Sequence, residues 1–160
     1  MKSIICLFTN IDKARLAAET LILSGFSLEQ MNIIVQESIA KNKLFISDHS
    51  LKLQENKEKY PLTGLERLLG GKQSIQTPDV GPVFCVGPEA INTVKVALSK
   101  PDQGLKFALS EFDLSETNAE YFRNGVKEGG LLLWIRTDEL KAGEVVKAME
   151  YRNGIRILTF

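Results

Sequence analysis

The residues that could do chemistry are few, and each is met by a plainer account. Gly70-Gly71-Lys72-Gln73-Ser74 has two pieces of a phosphate loop. That loop needs a glycine five positions before Gly71, where this chain has Glu66, and a Ser or Thr after the lysine, where it has Gln73. A helix precedes it instead of a strand, so the stretch reads as a flexible loop. His49 is the one histidine, between Asp48 and Ser50 in a polar stretch. A multi-histidine metal site is excluded, and a Ser-His-Asp triad would have to use it. It reads as a surface residue. Cys6 and Cys85 stand among apolar neighbours and read as buried structural thiols. Asp12, Asp138 and Glu139 lie near helix starts, where a carboxylate is favoured by the helix dipole without any acid–base role. Those helix starts could also bind an anion, though nothing in the residues demands it. Trp134 and Tyr121 could line a ligand cavity, with core packing the simpler account.

Elements that would position such residues are better defined. Gly129-Gly130-Leu131-Leu132-Leu133-Trp134-Ile135 has no polar break before Arg136. A strand apolar on both alternating sets of side chains has both faces covered, so this one belongs at the centre of a sheet. Ser3-Ile4-Ile5-Cys6-Leu7-Phe8 has the same property. After it come the N-cap candidates Thr9, Asn10 and Asp12. A helix with Ala14, Ala17, Ala18, Leu21 and Ile22 at helical spacing follows, closed by Gly25, and then the strand Met31-Asn32-Ile33-Ile34-Val35. The chain ends on a second copy of this pattern. Thr137 or Asp138 should cap a helix with Leu140, Val145, Val146 and Met149 on its buried stripe, and Ile155 to Phe160 should be an edge strand. Thr9 and Thr137 are spaced as Lys13-Ala14 and Lys141-Ala142 are. Two strand–helix–strand units predict an α+β fold, a ferredoxin-like sheet built from two split βαβ units.

Residues 37–128 separate the units and are too many for a loop. They predict a mostly helical insertion inside one domain of residues 1–160, between units at 3–36 and 129–160. Residues 37–59 are polar, with one short extended candidate at Leu44-Phe45-Ile46. Pro61 opens a helix carrying Leu62, Leu65, Leu68 and Leu69, and a flexible stretch runs to Asp79. Gly81-Pro82 and Gly87-Pro88 bracket a short apolar run, and Pro88 suits the first turn of a helix. Further helices follow, one with Ile91, Val94 and Leu98, one starting near Pro101-Asp102 with Leu105, Ala108, Leu109 and Phe112, and one capped by Ser115 with Ala119, Phe122 and Val126 buried. The second face of the sheet needs a cover, either these helices or a second copy of the chain.

Twenty basic and twenty acidic residues cancel among 160, so no general pull toward nucleic acid is expected. No apolar run reaches the roughly 18 to 20 residues that span a bilayer, and the N-terminus does not read as a secretory signal. A cytoplasmic protein with neither metal nor cofactor is the expectation.

The ordered pattern is similar to one known family. The N-terminal strand, the Ala-rich helix ending in Gly25-Phe26, Ile33, Pro78-Asp79-Val80-Gly81-Pro82, Gly87-Pro88, Ala119-Glu120-Tyr121, Gly125-Val126 and Gly129-Gly130-Leu131 resemble the heat-induced general stress proteins of bacteria. The resemblance covers residues 3–36 and 77–160. It implies a stress-linked cytoplasmic role and no agreed activity, hence no catalytic residues. Relatives often carry a long Gly/Ala-rich apolar stretch in the middle, which Glu66, Arg67, Lys72, Asp79 and Lys95 interrupt here. The expected function is non-enzymatic, by self-association as a homodimer or by partner binding. The alternative is a small-ligand sensor using a cleft between sheet and insertion, and an enzyme comes third. Ligand or interface candidates are Gly81, Pro82, Gly87, Pro88, Tyr121 and Trp134.

Overall fold

Strands that are apolar on both sides can only be stable between two layers, and that is where they lie. A computed structural model describes residues 1–43, 73–112 and 114–160. Strand β1 (Lys2–Phe8) pairs antiparallel with β5 (Leu131–Thr137), with Ile4 opposite Ile135 and Phe8 opposite Leu131. Helix α1 (Ile11–Leu23) follows β1 and leads through a short 3₁₀ turn, Leu28–Gln30, to β2 (Met31–Gln36), which pairs with the other side of β5. Helix α6 (Ala142–Tyr151) follows β5 and leads to β6 (Ile155–Thr159), which pairs with β1. With β3 (Gln73–Thr77) and β4 (Gly81–Val86), the sheet among the described residues has six strands in the order β3-β4-β2-β5-β1-β6, all antiparallel. The expected adjacency of the two doubly apolar strands, away from both edges, is what the pairing gives.

Among the described residues the insertion is mainly helical, but it also lends the sheet two strands, β3 and β4. The stretch read as flexible up to Asp79 holds β3, a polar strand whose backbone is fixed by pairing with β4 while its side chains stay mostly exposed. The polar start of the insertion is also ordered, as helix α2 (Glu37–Lys43), closed by a Lys41–Glu37 ion pair at 3.0 Å. The extended candidate at 44–46, His49, the helix expected from Pro61 to Leu69 and the loop expected at Gly70-Gly71 lie outside the described residues.

Among the described residues of the insertion three further helices follow, α3 (Pro88–Leu98), α4 (Leu105–Ser110) and α5 (Glu116–Lys127). Ser115 caps α5 as expected, its Oγ accepting from Asn118 N at 3.2 Å, and Ala119, Phe122 and Val126 are buried. Helix α4 begins at Leu105 rather than near Pro101, and Phe112 falls beyond it. Helix α6 also starts later than its capping residues suggested. Asp138 Oδ1 accepts from Lys141 N in the preceding turn, and Leu140 is 96% exposed rather than on the buried stripe.

The two alternating sets of strand side chains enter two cores. Ile4, Cys6, Phe8, Leu131, Leu133 and Ile135 pack with α1 and α6. Ile5, Leu7, Ile34, Leu132 and Trp134 pack under α3, α4 and α5 through Val94, Leu109 and Phe122. The second face is therefore covered by the chain's own inserted helices. Full burial of one such aliphatic side chain contributes about 1.5–3 kcal/mol.

The turn from α5 into β5 leaves no room for a side chain at Gly130. A side-chain carbon at Gly130 would stand 2.9 Å from Gly125 O, 3.0 Å from Leu7 Cδ1 and 3.1 Å from Phe8 O. Two of those atoms are backbone and cannot swing away. Gly130→Ala is expected to destabilise the fold by about 1–3 kcal/mol, as overpacking does, measured by chemical denaturation. An unchanged midpoint would show that the turn has slack.

Candidate functional site

The six candidate residues separate into three places. Gly81 and Pro82 belong to the β3–β4 hairpin, where Thr77 Oγ1 donates to Gly81 O at 2.7 Å and accepts from Val80 N at 3.3 Å. Asp79 in the same turn reaches across to α4, its carboxylate accepting from Leu105 N at 3.0 Å and pairing with Arg123 of α5 at 3.6 Å.

Gly87, Pro88 and Trp134 meet at the start of α3. Gly87 precedes the helix with φ +93, a conformation that favours glycine, and a side-chain carbon there would collide with the Asn32 amide and Met31 O. The first N–H groups of a helix have no partners within it. Here buried Asn32 on β2 supplies one, its Oδ1 accepting from Glu89 N at 3.0 Å and Ala90 N at 3.2 Å. Glu89 then closes the corner. Its carboxylate accepts from Trp134 Nε1 and from Arg136 Nη1, each at 2.9 Å. Trp134 is 3% exposed.

Tyr121 stands apart, half-buried on α5 at the opposite end of β5. With Leu7, Thr9, Asn124, Gly125, Glu128 and Gly130 it lines a groove of about 460 Å3. A second hollow of about 550 Å3 shares Thr9 and Glu128 and adds Asn10, Ile11, Asp12, Ile39 and Gly129. The groove follows from local chemistry. Asn10 caps α1, its Oδ1 accepting from Lys13 N at 3.2 Å, so the chain turns directly from β1 into the helix. Gly129, at φ +100, and Gly130 turn α5 into β5 without side chains to fill the space. Around an apolar floor at Leu7 stand a hydroxyl, amides, carboxylates and a phenol. The lining residues carry the charges of Asp12 and Glu128 and no basic side chain. Thr9, Asn10 and Asp12 were visible in sequence only as capping candidates. Asn124 and Glu128 gave no signal, because they reach the groove through the fold rather than through spacing.

Other reactive groups lie elsewhere. Both thiols are free and buried, Cys6 in the core under α1 and α6, Cys85 in the core under α3–α5. Burial pushes the Cys6 thiol far above its ordinary range. It pushes Cys85 up to about 11, against the opposing pull of Lys95. Neither is a ready nucleophile at neutral pH. Among the described residues no three His, Cys, Asp or Glu side chains gather as a metal site, and no helix is long and apolar enough to cross a membrane.

No family model, curated protein or solved structure matches the chain.

Two outcomes follow from these environments. Trp134→Ala should cost about 3–5 kcal/mol as a large-to-small change in a core, read from denaturation midpoints. A loss under about 1 kcal/mol would contradict the burial and the Glu89 bond. The buried Cys85 thiol sets a pH dependence. In the unfolded chain it ionises near its ordinary 9.0, in the folded chain near 11. Its contribution is intact below pH 9 and is lost as the pH rises from 9 toward 11, because only the unfolded state gains from ionising. Cys85→Ala should flatten that decline; an identical slope in both proteins would refute the assignment.

Proposed function

We propose that the chain is a binding protein that holds a small polar molecule in the groove between the β1–α1 turn and the α5–β5 turn. One observation carries this reading: hydroxyl, amide, carboxylate and phenol groups from Thr9, Asn124, Glu128 and Tyr121 surround a recess of about 460 Å3 with an apolar floor. A concave site with a few convergent polar groups is the usual form of a small-molecule site. The neighbouring Asp12 and Glu128, with no basic residue in the lining, favour a ligand rich in hydrogen-bond donors or positive charge. The phenol of Tyr121 is the one earlier candidate that borders this recess.

The architecture is part of the proposal. The strands of the two strand–helix–strand units lie side by side as β2-β5-β1-β6, with each unit's first strand inside and its second outside. That order supports a ferredoxin-like core to which β4 and β3 add on the β2 side. The resemblance of residues 3–36 and 77–160 to bacterial heat-induced stress proteins adds a stress-linked, cytoplasmic setting.

Self-association is the second reading. The cover of α3–α5 over the second face removes one reason for a partner copy, but β6 stays on the outside of the sheet with Ile155 36% and nearby Tyr151 75% exposed. A strand edge of this kind can template pairing.

Thermal unfolding with putrescine, glucose and adenosine tests the first reading. Binding should raise the midpoint, and at a ligand concentration of one hundred times Kd the gain is about 2.7 kcal/mol. Amide resonances of Gly125, Gly129 and Gly130 should move, and Glu128→Gln should weaken the effect. A panel that shifts neither midpoint nor resonances speaks against the groove. Light scattering across a dilution series tests the second: a mass that falls on dilution, and a monomer for Ile155→Lys, would support it, and one constant monomer mass would end it.

A further inference from the structure

Strand β6 contains a residue in a backbone conformation that its side chain does not favour. Arg156 has φ +53. Such left-handed geometry is ordinary for glycine and costs free energy for other residues. The β1–β6 ladder shows why it occurs. Ile5 faces Leu158, and Leu7 faces Ile155, so one residue of β1 is spanned by two of β6, Arg156 and Ile157. This is a bulge, a device that bends a strand and re-aims a side chain. At its left-handed position glycine would be the unstrained choice.

The re-aimed side chain has a definite target. The Arg156 guanidinium lies 3.9 Å from the centre of the Tyr121 ring, and its Nη1 donates to Asn118 Oδ1 at 3.0 Å. Asn118 and Tyr121 are neighbours on one face of α5, three residues apart. Phe122 meets the Tyr121 ring edge-on at 6.0 Å. Tyr121 thus has one ring face under a cation and another part of its surface in the groove wall. Strained residues persist where the surrounding structure holds them, and they cluster at ligand-binding sites.

We infer that Arg156 is a positioning residue for the groove: the β6 bulge exists to press its guanidinium onto Tyr121 and so fix the ring as a wall of the ligand site. This rests on the ligand-binding reading above. It also makes β6 a part of the site that never touches the ligand.

The test uses the full chain with Arg156→Gly, which keeps the backbone shape without strain, and Arg156→Lys, which keeps the charge. The probe ligand is putrescine. Tyr121 ring resonances and Leu7 methyl resonances are followed by NMR, with unfolding temperature and putrescine affinity measured on the same samples. Expected for Arg156→Gly are displaced Tyr121 and Leu7 resonances and about fivefold or greater loss of putrescine affinity, with no fall in unfolding temperature. Arg156→Lys should recover part of the affinity. A Gly variant with native ring resonances and native affinity would overturn the inference, as would an affinity loss that tracks a loss of stability. If putrescine leaves the native chain unaffected, the groove reading fails for this probe, and the ring resonances alone decide the role of Arg156.

Discussion

The pairing of β1 with β5 is the constraint on which the remaining structure depends. Seven register pairs join the two strands, and from Ile4–Ile135 to Phe8–Leu131 their side chains are apolar in both directions. A sheet of that kind loses its main driving force if either face is left in water. Helices α1 and α6 cover one face, as the immediate connections between paired strands allow. The second cover has to come from elsewhere in the chain. Residues 88–127 therefore behave less as a decoration than as the missing third layer, placing Val94, Leu105, Leu109 and Phe122 over Ile5, Leu7, Leu132 and Trp134.

Docking helices onto a sheet creates a second problem, because their first N–H groups become buried without partners. The solution recurs. Asn32, on the central part of the sheet, caps α3 from 57 and 58 residues away. Asp79, in the hairpin turn, caps α4 and also binds Arg123 of α5. At the other kind of helix end, where carbonyls lack partners, Gln36 at the end of β2 donates to Lys127 O at the C-terminus of α5 at 2.8 Å. The Asn32 and Gln36 bonds join the insertion to β2, and Asp79 ties the insertion's own hairpin to its helices. An unmatched buried amide costs about 1–3 kcal/mol, so these polar contacts select one docking geometry from the many that apolar packing alone would accept.

This division explains which features were legible in the sequence. Apolar periodicity is local, so the central strands, the buried stripe of α1 and the Ser115 cap with Ala119, Phe122 and Val126 could be read directly. Strand β3 could not. Gln73, Ser74 and Gln76 have no apolar alternation, and only the neighbouring β4 makes them a strand. The start of α6 was misplaced because Asp138 caps a turn instead of the helix, which puts Leu140 in solvent. The groove was hidden for a related reason. Thr9 and Tyr121 are 112 positions apart, and Glu128 joins them only after α5 has been folded over β1. Trp134, the most conspicuous aromatic residue, instead fills the core beside Glu89.

The antiparallel pairing also explains why the groove forms at one end of the sheet. The end of β1 meets the beginning of β5, so the turn into α1 and the turn out of α5 converge there. Both turns are short, and the second consists of Glu128, Gly129 and Gly130; the missing side chain of Gly130 leaves Leu7 as a floor. At the other end, Thr137 faces Lys2 and the chain needs residues 138–141 before α6 begins. The two units share an architecture but not this geometry. The recess forms where the insertion returns to the sheet, and the same return brings Tyr121 under Arg156 of the final strand. The insertion that completes the core thus supplies one wall of the groove, and the first unit supplies the other.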